Sequence, residues 1–134
     1  MADLVQTAAN VKLNAGASVL VGTAGETLTQ GQPAVLSSGK WVRARATTAA
    51  LANCSGIVLT PAALDEPVVI AKPGTRINLG ATLVVGEVYV VSATLGAIAP
   101  IGDLVSTNFV TPIGTARTSS VLAFNPHPSG IAKA

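Results

Sequence analysis

Residues 25–37, GETLTQGQPAVLS, and residues 80–92, GATLVVGEVYVVS, keep one spacing of glycine and apolar positions. Laid over one another they share Gly25 with Gly80, Thr27 with Thr82, Leu28 with Leu83, Gly31 with Gly86, Val35 with Val90 and Ser37 with Ser92. Each is followed within a few residues by a further glycine, Gly39 or Gly96. A glycine turn, a short apolar approach, a second glycine turn and a strand make one β unit. Two such units predict a chain built from two related β lobes.

The remaining sequence extends that pattern. Residues 34–37 and 41–46 face each other across Ser38-Gly39-Lys40, a short connection typical of a hairpin. Residues 56–59, 68–71, 76–79, 88–92 and 121–124 are further apolar runs bounded by Gly or Pro. Residues 110–116 also read as a strand, and Pro112, which lacks a backbone donor, places an edge or a bulge there. Residues 47–53 are Ala-rich and suit a short helical turn or a crossing loop. About nine short strands at roughly 8–12-residue spacing, with no sustained amphipathic helix, predict an all-β fold. The expected architecture is a compact β-sandwich or β-barrel, jelly-roll-like, formed by residues 15–124. An N-terminal arm, 1–14, and an extended C-terminal tail, 125–134, flank it.

Composition decides what kind of surface such a fold presents. Aromatics are 3% of the chain, so the core must be built from aliphatic side chains. Charged residues are only 10%, against roughly 25% in ordinary soluble domains, too few to dress a fully exposed surface. Part of that surface is therefore expected to be covered by other subunits or partners. The net charge of +2 comes from eight Lys and Arg scattered singly, without aromatic interleaving, which argues against a nucleic-acid partner. The start carries no basic segment followed by an apolar run, so no signal peptide is expected. The most apolar window, 79–101, is broken by Glu87, Pro100 and glycines, which argues against a membrane span. The single Cys54 fits a reducing compartment.

Catalytic chemistry finds no constellation in the sequence. His127, the only histidine, lies between Pro126 and Pro128 in the tail and reads as exposed. Cys54 has neither a second cysteine nor a neighbouring histidine. No phosphate loop, nucleophile elbow or metal motif occurs, so no enzyme activity, cofactor or metal is expected. For binding, Trp41, Arg43 and Arg45 alternate along one strand and are residue types that anchor interfaces. Two readings stay open: Trp41 is an interface anchor, or it fills a core short of rings. Leu4, Val5, Val11 and Leu13 in the N-terminal arm, and Pro126, His127 and Pro128 in the tail, complete the candidate interface. An arm of this kind could add a strand to a neighbour's sheet edge.

The succession of residues 24–33, then Gly39-Lys40-Trp41-Val42-Arg43-Ala44, then Gly56-Ile57-Val58-Leu59, residues 80–92 and Ile113-Gly114-Thr115-Ala116 resembles small virion proteins of tailed bacteriophages. These are the capsid decoration or cement proteins and related head-fibre proteins, and the resemblance covers about residues 18–124. It implies a β-rich domain, commonly a homotrimer, that sits on the outer capsid surface against the major capsid protein and reinforces the shell. It further implies synthesis in the host bacterial cytoplasm and residence in the virion, with no catalytic residues. The other readings are a head-fibre or tail-associated host-recognition module, and a barrel enclosing a small apolar ligand.

Overall fold

The computed structural model describes residues 6, 11–13, 19–104, 108–127 and 131. In chain order its elements are β1 (Val11–Leu13), β2 (Val19–Thr23), β3 (Pro33–Ser37), β4 (Lys40–Arg43), α1 (Ala49–Ala52), β5 (Gly56–Val58) and β6 (Pro67–Ala71). They continue with β7 (Thr75–Leu79), β8 (Val88–Val91), β9 (Ile98–Pro100), a 3₁₀ turn (Ile101–Asp103), β10 (Pro112–Ala116) and β11 (Val121–Phe124). The strands form two antiparallel sheets, ordered β2-β6-β5-β3-β4 and β1-β7-β11-β10-β8-β9. The architecture is an all-β sandwich, and neither sheet closes into the alternative, a barrel.

With β1 set aside, the two orders are one order. Advancing every strand of the first sheet by five positions gives β7-β11-β10-β8-β9, the second sheet. The sequence repeat sits at the same place in both. Gly31 and Gly86 take φ of +87° and +86°, and Gln32 and Glu87 donate N–H groups to the carbonyls of Thr29 and Val84. Each closes a four-residue turn whose third position demands positive φ, which only glycine adopts without strain. Gly31 N–H then donates to Val58 O at 2.8 Å and Val58 N–H to Gln32 O at 2.9 Å. Gly86 N–H donates to Ala116 O at 3.0 Å and Ala116 N–H to Glu87 O at 3.1 Å. The chain therefore holds two lobes of one topology.

Neighbouring residues on a strand point to opposite faces, and Ile57 and Val58 show how the layers stack. Ile57 belongs to the larger core, with Ile77, Tyr89, Leu122 and Phe124 of the second sheet. Val58 belongs to a smaller core with Leu28, Trp41, Ala62 and Ile70. One face of the first sheet thus packs on the second sheet. The other is sealed by its own loops, where Leu28 and Ala62 exchange N–H···O bonds. The first sheet also curls, short of closing, until Ala24, just past β2, makes one isolated parallel bridge to Trp41 of β4, and Gly25 N–H donates to Trp41 O at 2.7 Å.

The β3–β4 hairpin turns through Ser38 and Gly39, both at positive φ, as the turn between two right-twisted strands requires. Pro112 stands at a bulge in the interior strand β10, where its register with β8 shifts before Gly114. One expectation needs correction. β4 ends at Arg43, and residues 44–46 cross to the second lobe instead, where Gly96 N–H donates to Ala44 O and Ala46 N–H to Ser92 O. Within the N-terminal arm, residues 11–13 pair with β7 as the edge strand β1. Gln6 Nε2 donates to Gly31 O and Leu79 O, both at 3.1 Å, and ties this segment to both lobes. The C-terminal tail continues the line of β11, with Asn125 and His127 N–H groups donating to Ile113 O and Pro112 O.

Candidate interface

The candidate residues that lie among the described ones do not converge. Trp41 is 5% exposed and lies inside the curl of the first sheet, so it is a core residue rather than an interface anchor. The cause is visible at Gly22 on the facing edge: a Cβ there would stand 2.5 Å from Trp41 Nε1, so the indole occupies room that only glycine leaves. Val11 is likewise buried in the larger core. Its place in β1 removes it from an interface list, and Leu13 is the next position but one on that strand. Leu4, Val5 and Pro128 lie outside the described residues.

Arg43 is half-buried and bound within its own lobe. Its Nη2 reaches Glu26 Oε1 at 3.2 Å, and its backbone N–H donates to Glu26 Oε2 at 2.7 Å. Burial pushes the Glu26 carboxyl up, but the bonds from Arg43 outweigh it and hold the group below its ordinary value of 4.5. Arg45 is exposed beyond the strand end, with Nε donating to Ala93 O at 3.0 Å. Lys40 pairs with Asp65 across the surface. Cys54 is fully buried, its thiol pushed up to about 12 by desolvation, and its Sγ donates to Gly56 O at 3.4 Å. Such a thiol is a poor nucleophile. Among the described residues no three His, Cys, Asp or Glu side chains gather where a metal ion could sit.

What the fold exposes instead is aliphatic. Val21, Leu36, Leu64 and Ile131 are each more than half exposed. Val84 and Val85, each 65% exposed, form the tip of the second lobe's glycine turn, where the first lobe carries Thr29 and Gln30. Tyr89 Oη fixes that tip by accepting the Val84 N–H at 3.0 Å.

His127 borders a surface groove of about 480 Å³ on the outer face of the second sheet, as does Asn125, while the half-buried Pro126 between them does not line it. Its floor is low because Gly114 and Ala123 stand there, and a Cβ on Gly114 would run into the Ala123 carbonyl. Val88, Ile101 and Pro112 make an apolar side, while Arg117, Asn125 and His127 bring polar ends. Sequence reasoning missed this groove because its lining comes from four separate stretches. Of its members the sequence singles out His127, as an interface candidate, and Pro112, as the place of an edge or bulge. Among the described residues no helix is long and apolar enough to cross a membrane.

A scan of protein-family profiles finds none that matches this chain, and no curated protein matches it.

Proposed function

We propose that the chain is a non-enzymatic structural protein of a tailed-bacteriophage virion that binds the outer capsid surface and stabilises the shell. The observation that carries this reading is the set of large aliphatic side chains left exposed around the fold in a chain with only 10% charged residues. Such a surface favours cover by neighbours over free solution. Dispersed small contacts suit a shell, because many weak attachments to the major capsid protein, and within a homotrimer, add through avidity. The fold suits the load as well: two lobes of one topology share a core and are stitched by Gln6 and by residues 44–46.

The test is rebinding. Capsids assembled without this protein are incubated with the purified chain, and shell integrity is followed by heat-induced release of packaged DNA. The reading requires saturable binding and a raised release temperature; no binding, or binding without any gain in shell stability, overturns it.

A further inference from the structure

The shared topology makes the two lobes comparable residue by residue. In the first sheet Pro33 pairs with Ile57, and Ile57 with Ala71. In the second, at the same strand positions, Val88 pairs with Thr115, and Thr115 with Ala123. The first row is buried: Ile57 and Ala71 are 0% exposed and pack into the larger core, so this is the face by which the first lobe docks on the second. The matching row of the second lobe is uncovered and floors the groove.

The repeat therefore leaves one docking face without its occupant, and the side chains there have changed character. Ile57 is replaced by Thr115, and the groove gains Arg117, Asn125 and His127. Among the described residues neither Arg117 nor His127 has a side-chain hydrogen bond or ion pair, and none of the described residues that line the groove is acidic. Glu26 and Asp65 are held by Arg43 and Lys40, Glu66 caps the Ala63 N–H, and Glu87, next to Val88 on the chain, does not line the groove. A second copy cannot continue the stack. The face it would have to offer is the inner face of its first sheet, which Leu28 and Ala62 seal.

We propose that this groove receives an acidic, partly apolar segment of another protein, with carboxylates at Arg117 and His127 and an aliphatic side chain against Val88 and Ile101. The proposal rests on the shell-binding reading only in naming that protein as one of the covered surface. Charge complementarity selects the occupant, since a guanidinium beside an apolar floor favours a carboxylate over a neutral group. The groove volume suits a few side chains.

The experiment is a ¹⁵N NMR titration of the full chain at low salt with acetyl-Glu-Leu-Glu-amide and, separately, acetyl-Gln-Leu-Gln-amide. The expected result is saturable shifts at the amides of residues 114–117 and 123–127 with the acidic peptide alone. Arg117→Gln should weaken it about 3–5-fold, as befits one exposed charge contact. Lys72→Gln, outside the groove, should not. Equal response to both peptides, no response, or an unchanged affinity in Arg117→Gln overturns the proposal. Ala123→Leu, which raises the floor, should abolish the response; a full response in it also counts against the groove. In capsid rebinding, Arg117→Gln coating as well as the unaltered chain overturns the groove's part and leaves the shell reading standing. Failure of the unaltered chain to coat overturns the shell reading, and the titration still decides the groove.

Discussion

Truncating Trp41 separates a core role from an interface role, and its partner Gly22 sharpens the test. Trp41 is 5% exposed and is the largest member of the first lobe's core. Trp41→Ala should cost about 3–5 kcal/mol, the transfer loss plus the cavity left inside the curl. For a domain of this size, at about 3–5 °C per kcal/mol, the fall in Tm is about 9–25 °C. A methyl on Gly22 would stand 2.5 Å from Trp41 Nε1 and 2.6 Å from Cδ1, so Gly22→Ala should cost about 1–3 kcal/mol by overpacking. In the Trp41→Ala background the same methyl meets the vacated space, and its cost should vanish. The coupling between the two sites is then about 1–3 kcal/mol, far above the few tenths seen for independent sites. Urea denaturation followed by circular dichroism measures all four corners of the cycle, and thermal unfolding gives the Tm of each. A Tm shift below about 3 °C for Trp41→Ala, or strictly additive costs, would refute the placement of Trp41 and restore it to the surface.

Three further outcomes follow from local geometry. Gly31→Ala should destabilise more than Gly86→Ala although both hold the same φ. A Cβ at Gly31 meets Gln6 Nε2 at 2.6 Å and Val11 Cγ2 at 3.0 Å, whereas one at Gly86 meets nothing within 4 Å; equal chemical-denaturation midpoints would contradict this. Glu26 has a depressed pKa, so its contribution is complete above the unfolded value near 4.5 and is lost as pH falls through the lower folded one. Glu26→Gln should flatten the acid side of the stability–pH profile below about pH 4.5, and an unchanged profile would rule this out. Cys54, with its thiol pushed up to about 12, should resist Ellman's reagent at pH 8 in the folded protein and react with one equivalent in urea; immediate reaction when folded would show the site open.

Much of this fold was legible in the sequence because its signals are local. Positive-φ glycines at turns such as Gly31, Gly39 and Gly86, and short aliphatic runs between them, locate strands without knowledge of their partners. The repeat of residues 25–37 in 80–92 even anticipates the common strand order of the two sheets. Partnership was not legible. Val11-Lys12-Leu13 is too short and unpunctuated to announce a strand, and it becomes one because β7 offers an edge. Trp41 alternates with its neighbours like an outward-facing residue, yet the curl that encloses it depends on Ala24 and Gly25 returning from a distant turn. The groove depends on a bulge at Pro112 and a tail laid along Pro112 and Ile113, both consequences of long-range pairing.

The most direct test of the account is the copy number of this chain relative to the major capsid protein in purified virions, by quantitative mass spectrometry with labelled reference peptides. A shell-covering role predicts a ratio of the same order as the capsid protein. A few copies per particle would move the chain to a fibre or tail, and its absence from virions would contradict the account outright.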